Sequence, residues 1–207
     1  MLRTIELPDF HHTPTAGSTA ARLLEEADRR IDQFIARRNA AGWVGFVPSD
    51  FVMVDACLEW IAGSRAASGA MFCEWGSGFG VVTMLAALRD FNACGIEVDA
   101  ELVDEARRLA DDFGIAAEFA HGSMIPDGQH RLLKHLDDSF SHVETDSPSG
   151  YDELGLGPDD FDLIFTFPWP GEEQFAERLF DRCAADGALL LSYHGINDLR
   201  LQRRVRR

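Results

Sequence analysis

The stretch Phe72-Cys73-Glu74-Trp75-Gly76-Ser77-Gly78-Phe79-Gly80-Val81-Val82 holds the residues best suited to chemistry. An acid and three glycines at alternate positions stand between two apolar runs. The order reads as a buried strand, a tight turn through Gly76, Ser77, Gly78 and Gly80, and a helix start. Glycine in such a turn permits positive φ and close approach of a ligand to the backbone, and the first turn of a helix presents N–H groups without intrahelical partners. This is a nucleotide-binding corner. Val81 stands where a dinucleotide fingerprint places its third glycine, which disfavours a nicotinamide or flavin cofactor.

Three further groups sit at the ends of apolar runs: Ile96-Glu97-Val98-Asp99, His121-Gly122-Ser123-Met124, and Thr166-Phe167-Pro168-Trp169-Pro170-Gly171 followed by Glu172-Glu173. The elements that must position them alternate. Strands are expected at Ala70–Trp75, Ala93–Val98, Ala117–His121, Phe161–Thr166 and Ala188–Tyr193. Helices are expected from about Gly80 to Phe91, from Asp99 to Phe113 and from Glu172 to Ala185, the last stopped by Gly187. Such alternation builds an α/β fold, a doubly wound and mostly parallel sheet with helices on both faces. Ligands of open sheets of this kind bind outside the carboxyl ends of the strands, where all these groups fall.

Upstream, residues 1–42 read as an irregular leader, with a short strand at Thr4–Leu7, and one amphipathic helix capped by Ser18 or Thr19. A second helix, about Phe51 to Ala62, has Ser49 or Asp50 as its cap. The aromatic loop between them either folds over a ligand or pins the first helix through Trp43 and Phe46. Residues 124–160 form a long insertion between the third and fourth strands, with a helix at Gln129–Leu136 and a polar 137–157 segment. After the fifth strand, Leu199–Arg203 alternates like a short edge strand bearing Arg on one face. The C-terminal end is shortened, and 1–207 is expected to be a single domain.

With 207 residues and 46% apolar content, one ordinary core can be filled. No apolar run is long enough to span a membrane and the first residues lack a signal-peptide core, so a cytoplasmic protein is expected. Cys57, Cys73, Cys94 and Cys183 show no CxxC spacing and His11-His12 has no further spaced ligands, so no metal is expected. A net charge of −16 disfavours a nucleic-acid partner. From His135 to Glu177 there are twelve Asp or Glu and no Lys or Arg, whereas Arg crowds the last eight residues. This polarity suits a cationic substrate, head-to-tail contact in a homo-oligomer, or simply a solvated acidic face.

From about Trp43 to Tyr193 the chain resembles the class I S-adenosylmethionine-dependent methyltransferases, whose fold is Rossmann-like. Glu74-x-Gly76-x-Gly78-x-Gly80 is similar to the family's first motif. The resemblance implies S-adenosylmethionine as cofactor, with Gly76, Ser77, Gly78 and Gly80 against its methionine and ribose and Glu74 holding the methionine end. It implies that Glu97 accepts hydrogen bonds from the ribose hydroxyls, a task that suits an acceptor-only group with two oxygens. Val98 would line one adenine face, and Asp99 would cap the following helix. Ser123 replaces the Asp that many members show after the third strand, leaving adenine to the Ser123 hydroxyl or to the Ser123 and Met124 backbone. Thr166-Phe167-Pro168-Trp169 resembles the substrate loop of amino-methylating members, with Thr166 in place of the usual Asp, Asn or Ser. Glu172, which follows this loop, either faces the pocket or stabilises a helix N-terminus, and the candidate catalytic set is Thr166, Pro168, Trp169 and Glu172.

The expected function is methyl transfer to a small molecule or a protein side chain. Transfer from a sulfonium needs mainly alignment of acceptor and methyl and exclusion of water. Glu172, His194, Tyr193 and His121 are the candidate bases. Two other functions use the same corner: a catalytically silent cofactor-binding subunit, and an aminopropyl transferase using the decarboxylated cofactor.

Overall fold

The computed structural model describes residues 1–10, 14–39, 45–129, 147–196 and 198–206. Trp43, His11-His12 and the expected helix after Gln129 lie outside the described residues. Among those described, seven strands form one sheet in the order β1-β7-β6-β5-β2-β3-β4. They are β1 (Leu2–Ile5), β2 (Met71–Trp75), β3 (Asn92–Glu97), β4 (Ala117–His121), β5 (Leu163–Thr166), β6 (Leu189–Tyr193) and β7 (Leu199–Arg204). β2 to β6 pair in parallel, and β7 is antiparallel to both β6 and β1.

Side-chain parity along the strands assigns two cores. Phe72, Leu163, Phe165, Leu189 and Leu191 face one layer, while Cys73, Trp75, Ile164 and Leu190 face the other. The first layer holds α1 (Thr19–Asn39), α2 (Phe51–Ser64), α3 (Val81–Leu88) and α4 (Ala100–Phe113). The second holds α5 (Gly150–Leu154) and α6 (Glu173–Cys183). The central strands are apolar on both faces because both are covered, as parallel sheets require. No helix among the described residues is long and apolar enough to cross a membrane.

Caps place the helix starts. Ser18 Oγ accepts from the Ala21 N–H at 3.2 Å, Asp50 Oδ1 from Met53 N–H at 3.0 Å and Asp99 Oδ1 from Glu101 N–H at 2.9 Å. Ion pairs from Arg30 to Asp112, Arg37 to Glu101 and Arg38 to Asp99 fasten α1 across α4.

Two expectations are corrected. Leu199–Arg204 is not an edge strand: β1 covers its outer side, pairing Leu2 with Arg204 and Ile5 with Leu201. The strand in the leader is Leu2–Ile5 rather than Thr4–Leu7, a shift set by that register and by Leu2 and Ile5 packing on opposite cores. The N-terminal segment thus supplies the outermost strand, beside β7. Strand-end differences elsewhere are of one or two residues, as at Leu163, where Phe161 and Asp162 precede the strand.

Candidate functional site

The glycine corner is fastened to β3. Ile96 O accepts from the N–H groups of Gly76 at 2.9 Å and Ser77 at 3.0 Å, and Glu97 Oε2 accepts from Gly78 N–H at 2.8 Å. Gly76, Gly78 and Gly80 all have positive φ, at 70°, 51° and 67°. A side chain at Gly80 would strike the Phe119 ring and one at Gly78 the Phe46 ring, whereas nothing lies within 4 Å of the corresponding point at Gly76. The first glycine is therefore open, and the others make room for their neighbours.

Glu74 shares the parity of Phe72, so its carboxyl turns beneath α3 and away from the corner's open side. Its Oε2 accepts from Thr83 N–H at 2.8 Å and Thr83 Oγ1 at 2.6 Å. It is 5% exposed, and burial pushes its pKa up to about 8, with the Thr83 bonds opposing and Glu97 adding to the rise. Thr83, the third residue of α3 and nine beyond Glu74, is the signal from which this bond could have been read.

A cavity of about 580 Å³ opens at the carboxyl ends of β2 to β6. One end is lined by Gly76, Glu97, Val98, Asp99, Ser123 and Met124, and the other by Thr166, Phe167, Pro168, Trp169, Glu172 and His194. Of the residues expected to act, Glu74, Ser77, Gly78 and Gly80 do not line it. Ser77 lies behind the turn against Gly95, its hydroxyl buried without a hydrogen-bond partner.

Glu97 is 8% exposed, and its carboxyl accepts from three backbone N–H groups. Besides Gly78, they are Val98 at 2.8 Å and Asp99 at 2.9 Å, both on Oε1. Burial raises its pKa while those donors pull the other way. Oε2 holds only one donor and keeps room for another. Val98 is exposed at the wall, and its carbonyl accepts from His121 Nε2 at 3.0 Å.

Ser123 is committed to its own loop. Its N–H donates to Pro148 O at 2.8 Å, its carbonyl accepts from Gly150 N–H at 2.9 Å, and its Oγ accepts from Ile125 N–H at 3.2 Å. Of the groups expected to meet adenine, the Ser123 hydroxyl and the Ser123 and Met124 backbone, the Ser123 N–H is taken up in closing the 147–150 segment onto β4. Met124 remains at the wall.

At the far end, Trp75, Thr166 and Ser192 stand side by side in register on three adjacent strands. Trp75 Nε1 donates to Tyr151 Oη at 2.6 Å, which anchors α5. Ser192 Oγ is 2.8 Å from His194 Nε2. Burial, then the Arg200 charge, holds the His194 pKa below its usual value. Phe167 packs edge-on to Tyr193 at 4.9 Å. Glu172 occupies the cap position of α6, and Glu173 accepts from Gly171 N–H at 2.9 Å.

The 45–50 segment forms the roof. Phe46 lies against Gly78 and 5.7 Å from the Phe79 ring, which also meets Phe34 of α1 edge-on at 5.3 Å. Gly45, Phe46 and Val47 line the cavity, so this loop both covers a ligand space and pins the first helix. A separate, more open cavity of about 550 Å³, at the amino ends of β3 and β4 around Leu88, Asp90 and Phe113, has none of these groups. Among the described residues no cluster of three His, Cys, Asp or Glu is placed to hold a metal ion.

No family model matches the sequence, and no curated protein does. Solved structures do match. A methyltransferase from Geobacter sulfurreducens aligns with a TM-score of 0.55 at 14% identity, over 93% of each chain. An RNA methyltransferase from Salinibacter ruber, in complex with S-adenosyl-L-homocysteine, aligns at 0.51 and 16%, over 76% of this chain and 92% of that one. An O-methyltransferase from Bacillus cereus, in complex with the same compound, aligns at 0.52 and 14%, over 86% and 67%. The chain has the Rossmann-like methyltransferase fold.

Proposed function

We propose that the chain binds S-adenosylmethionine in the cavity at the carboxyl ends of β2 to β4 and transfers its methyl group to a small molecule or a protein side chain. The observation that carries this reading is the Glu97 carboxyl, buried yet at the cavity wall and fixed by three backbone donors beside the open face of Gly76. An acceptor-only group with a remaining lone pair suits a ribose hydroxyl, and an unobstructed glycine suits close approach of a ligand. Val98 and Met124 offer apolar walls for a base. Matching solved structures that hold S-adenosyl-L-homocysteine support the same choice.

When bound, the cofactor supplies a methyl group on a good leaving group. The protein's residues then have to orient and exclude water. Phe46 and Val47 close the cavity from above, Phe167 and Trp169 wall the acceptor end, and Thr166 and Glu172 place polar groups there. His194, whose pKa burial lowers, stands at the same end beside the Ser192 hydroxyl and is the group offered to take a proton. Incubation with methyl-labelled S-adenosylmethionine and a panel of acceptors tests the activity. Label should pass to an acceptor in the wild type and fall at least ~10-fold in Glu97→Ala, about 1.4 kcal/mol of lost binding. A panel left unlabelled, with the cofactor bound, would instead indicate a silent binding subunit.

One observation favours a second reading. No Lys or Arg lines the cavity among the described residues, so a cofactor carboxylate would find no side-chain cation there. Aminopropyl transfer from the decarboxylated cofactor needs none. Titration with both forms separates the two, since preference for the decarboxylated compound would support aminopropyl transfer.

A further inference from the structure

His194 is the first residue beyond β6, and the turn it opens fixes its backbone. Its N–H donates to Asp198 O at 2.8 Å, Asp198 N–H donates to Gly195 O at 2.8 Å, and the Arg200 guanidinium donates to the Asp198 carboxyl at 2.8 Å. Two residues apart along an extended chain, Ser192 and His194 share a face. The ring folds back so that Nε2 lies 2.8 Å from Ser192 Oγ. Ser192 is 3% exposed and sits in register between Thr166 of β5 and Arg200 of β7. Among the described residues, His194 Nε2 is the only hydrogen-bond partner of that hydroxyl, and Nδ1 of the ring has none. His194 lines the cavity beside Gly195.

One ring nitrogen is thus engaged and the other is open. In a neutral imidazole one nitrogen carries the proton and the other a lone pair, and the bond made by the first decides the role of the second. We propose that Ser192 is a positioning residue: its hydroxyl accepts from Nε2–H and fixes the ring, so that Nδ1 presents the lone pair that takes the acceptor's proton. The proposal rests on the methyl-transfer reading above.

In that step the acceptor's O–H or N–H bond breaks, its electron pair stays on the acceptor atom and the proton passes to Nδ1. The ring becomes an imidazolium whose Nε2–H still donates to Ser192 Oγ, now as a charge-assisted bond, and it later returns the proton to solvent. A serine oxygen suits the task because it accepts in both states of the ring without adding a charge that would retain the proton. Around the ring stand Arg200 of β7, Asp198 of the turn, and Glu173 and Glu177 of α6. Burial and then Arg200 hold its pKa below the usual value against the three carboxyls, which keeps the lone pair available at neutral pH. Ser192 Oγ bonds nothing but this ring among the described residues, so truncation to alanine removes the contact and leaves the β5-β6-β7 pairing in place.

Long-range proton–nitrogen NMR spectra of the full, ligand-free chain, with the His194 signals assigned by their loss in His194→Gln, read tautomer and titration directly. In the wild type, above its titration, His194 should carry its proton on Nε2. Ser192→Ala should mix the tautomers and move the titration ~1 pH unit lower, because the imidazolium loses an acceptor, and Ser192→Thr should restore both. With the acceptor that the labelled panel identifies, kcat should fall ~10-fold in Ser192→Ala at unchanged KM and recover in Ser192→Thr. A proton on Nδ1 in the wild type, or tautomer and titration unchanged in Ser192→Ala, overturns the assignment, as does a kcat indifferent to that substitution. Calorimetry with S-adenosylmethionine keeps the two readings apart. Equal affinity in wild type and Ser192→Ala is expected, and affinity lost only in the variant overturns a role confined to the ring. Absence of heat in the wild type overturns the methyl-transfer reading itself, whatever the tautomer.

Discussion

Glu74 and Glu97 show how much a single position along a strand decides. Both are buried acids near strand ends, yet the first is turned under α3 onto Thr83 and the second stands at the cavity wall. The sequence marked both as cofactor residues, and strand parity with Phe72 is what sends Glu74 elsewhere. Its pKa of about 8 has a stability consequence. The folded-state value lies above the unfolded one, so its contribution is fully present below about pH 4.5 and is lost as pH rises to about 8, by roughly a few kcal/mol. Thermal melts should therefore show the wild type losing stability between pH 5 and pH 8, on the order of that amount, with Glu74→Gln much flatter. A wild type and variant with parallel pH profiles would contradict the buried placement.

At the scale of elements, the glycine turn and the alternation of strands and helices were legible, because each has a local signal in spacing or composition. The pairing of β1 with β7 was not, since it joins the two ends of the chain and no local pattern announces a partner that far away. Nor was the role of Tyr151, which lay in a polar stretch and yet holds α5 against β2 through Trp75 Nε1. Tyr151→Phe keeps the ring and leaves a buried indole N–H without its acceptor. Urea denaturation should show a loss of ~1–3 kcal/mol. Removal of residues 1–6 would leave the outer side of β7 unpaired, and size-exclusion chromatography should then show more self-association than the full chain does.

For the molecule as a whole, the doubly wound architecture followed from the order of elements, while the cavity required the sheet to bring residues 45–47, 76, 97, 124, 166–170, 172–173 and 194 together. The acidic balance acts at this scale too. At a net charge of −16, raising ionic strength from low to physiological should raise the melting temperature by screening self-repulsion, and an immobilised polyanion should not retain the protein. The most direct measurement of the central claim is calorimetric titration of S-adenosylmethionine into the wild type and into Glu97→Ala. Saturable binding at one site in the wild type, weakened at least ~10-fold in the variant, is the predicted result. No heat and no thermal shift in the wild type at millimolar cofactor would contradict it.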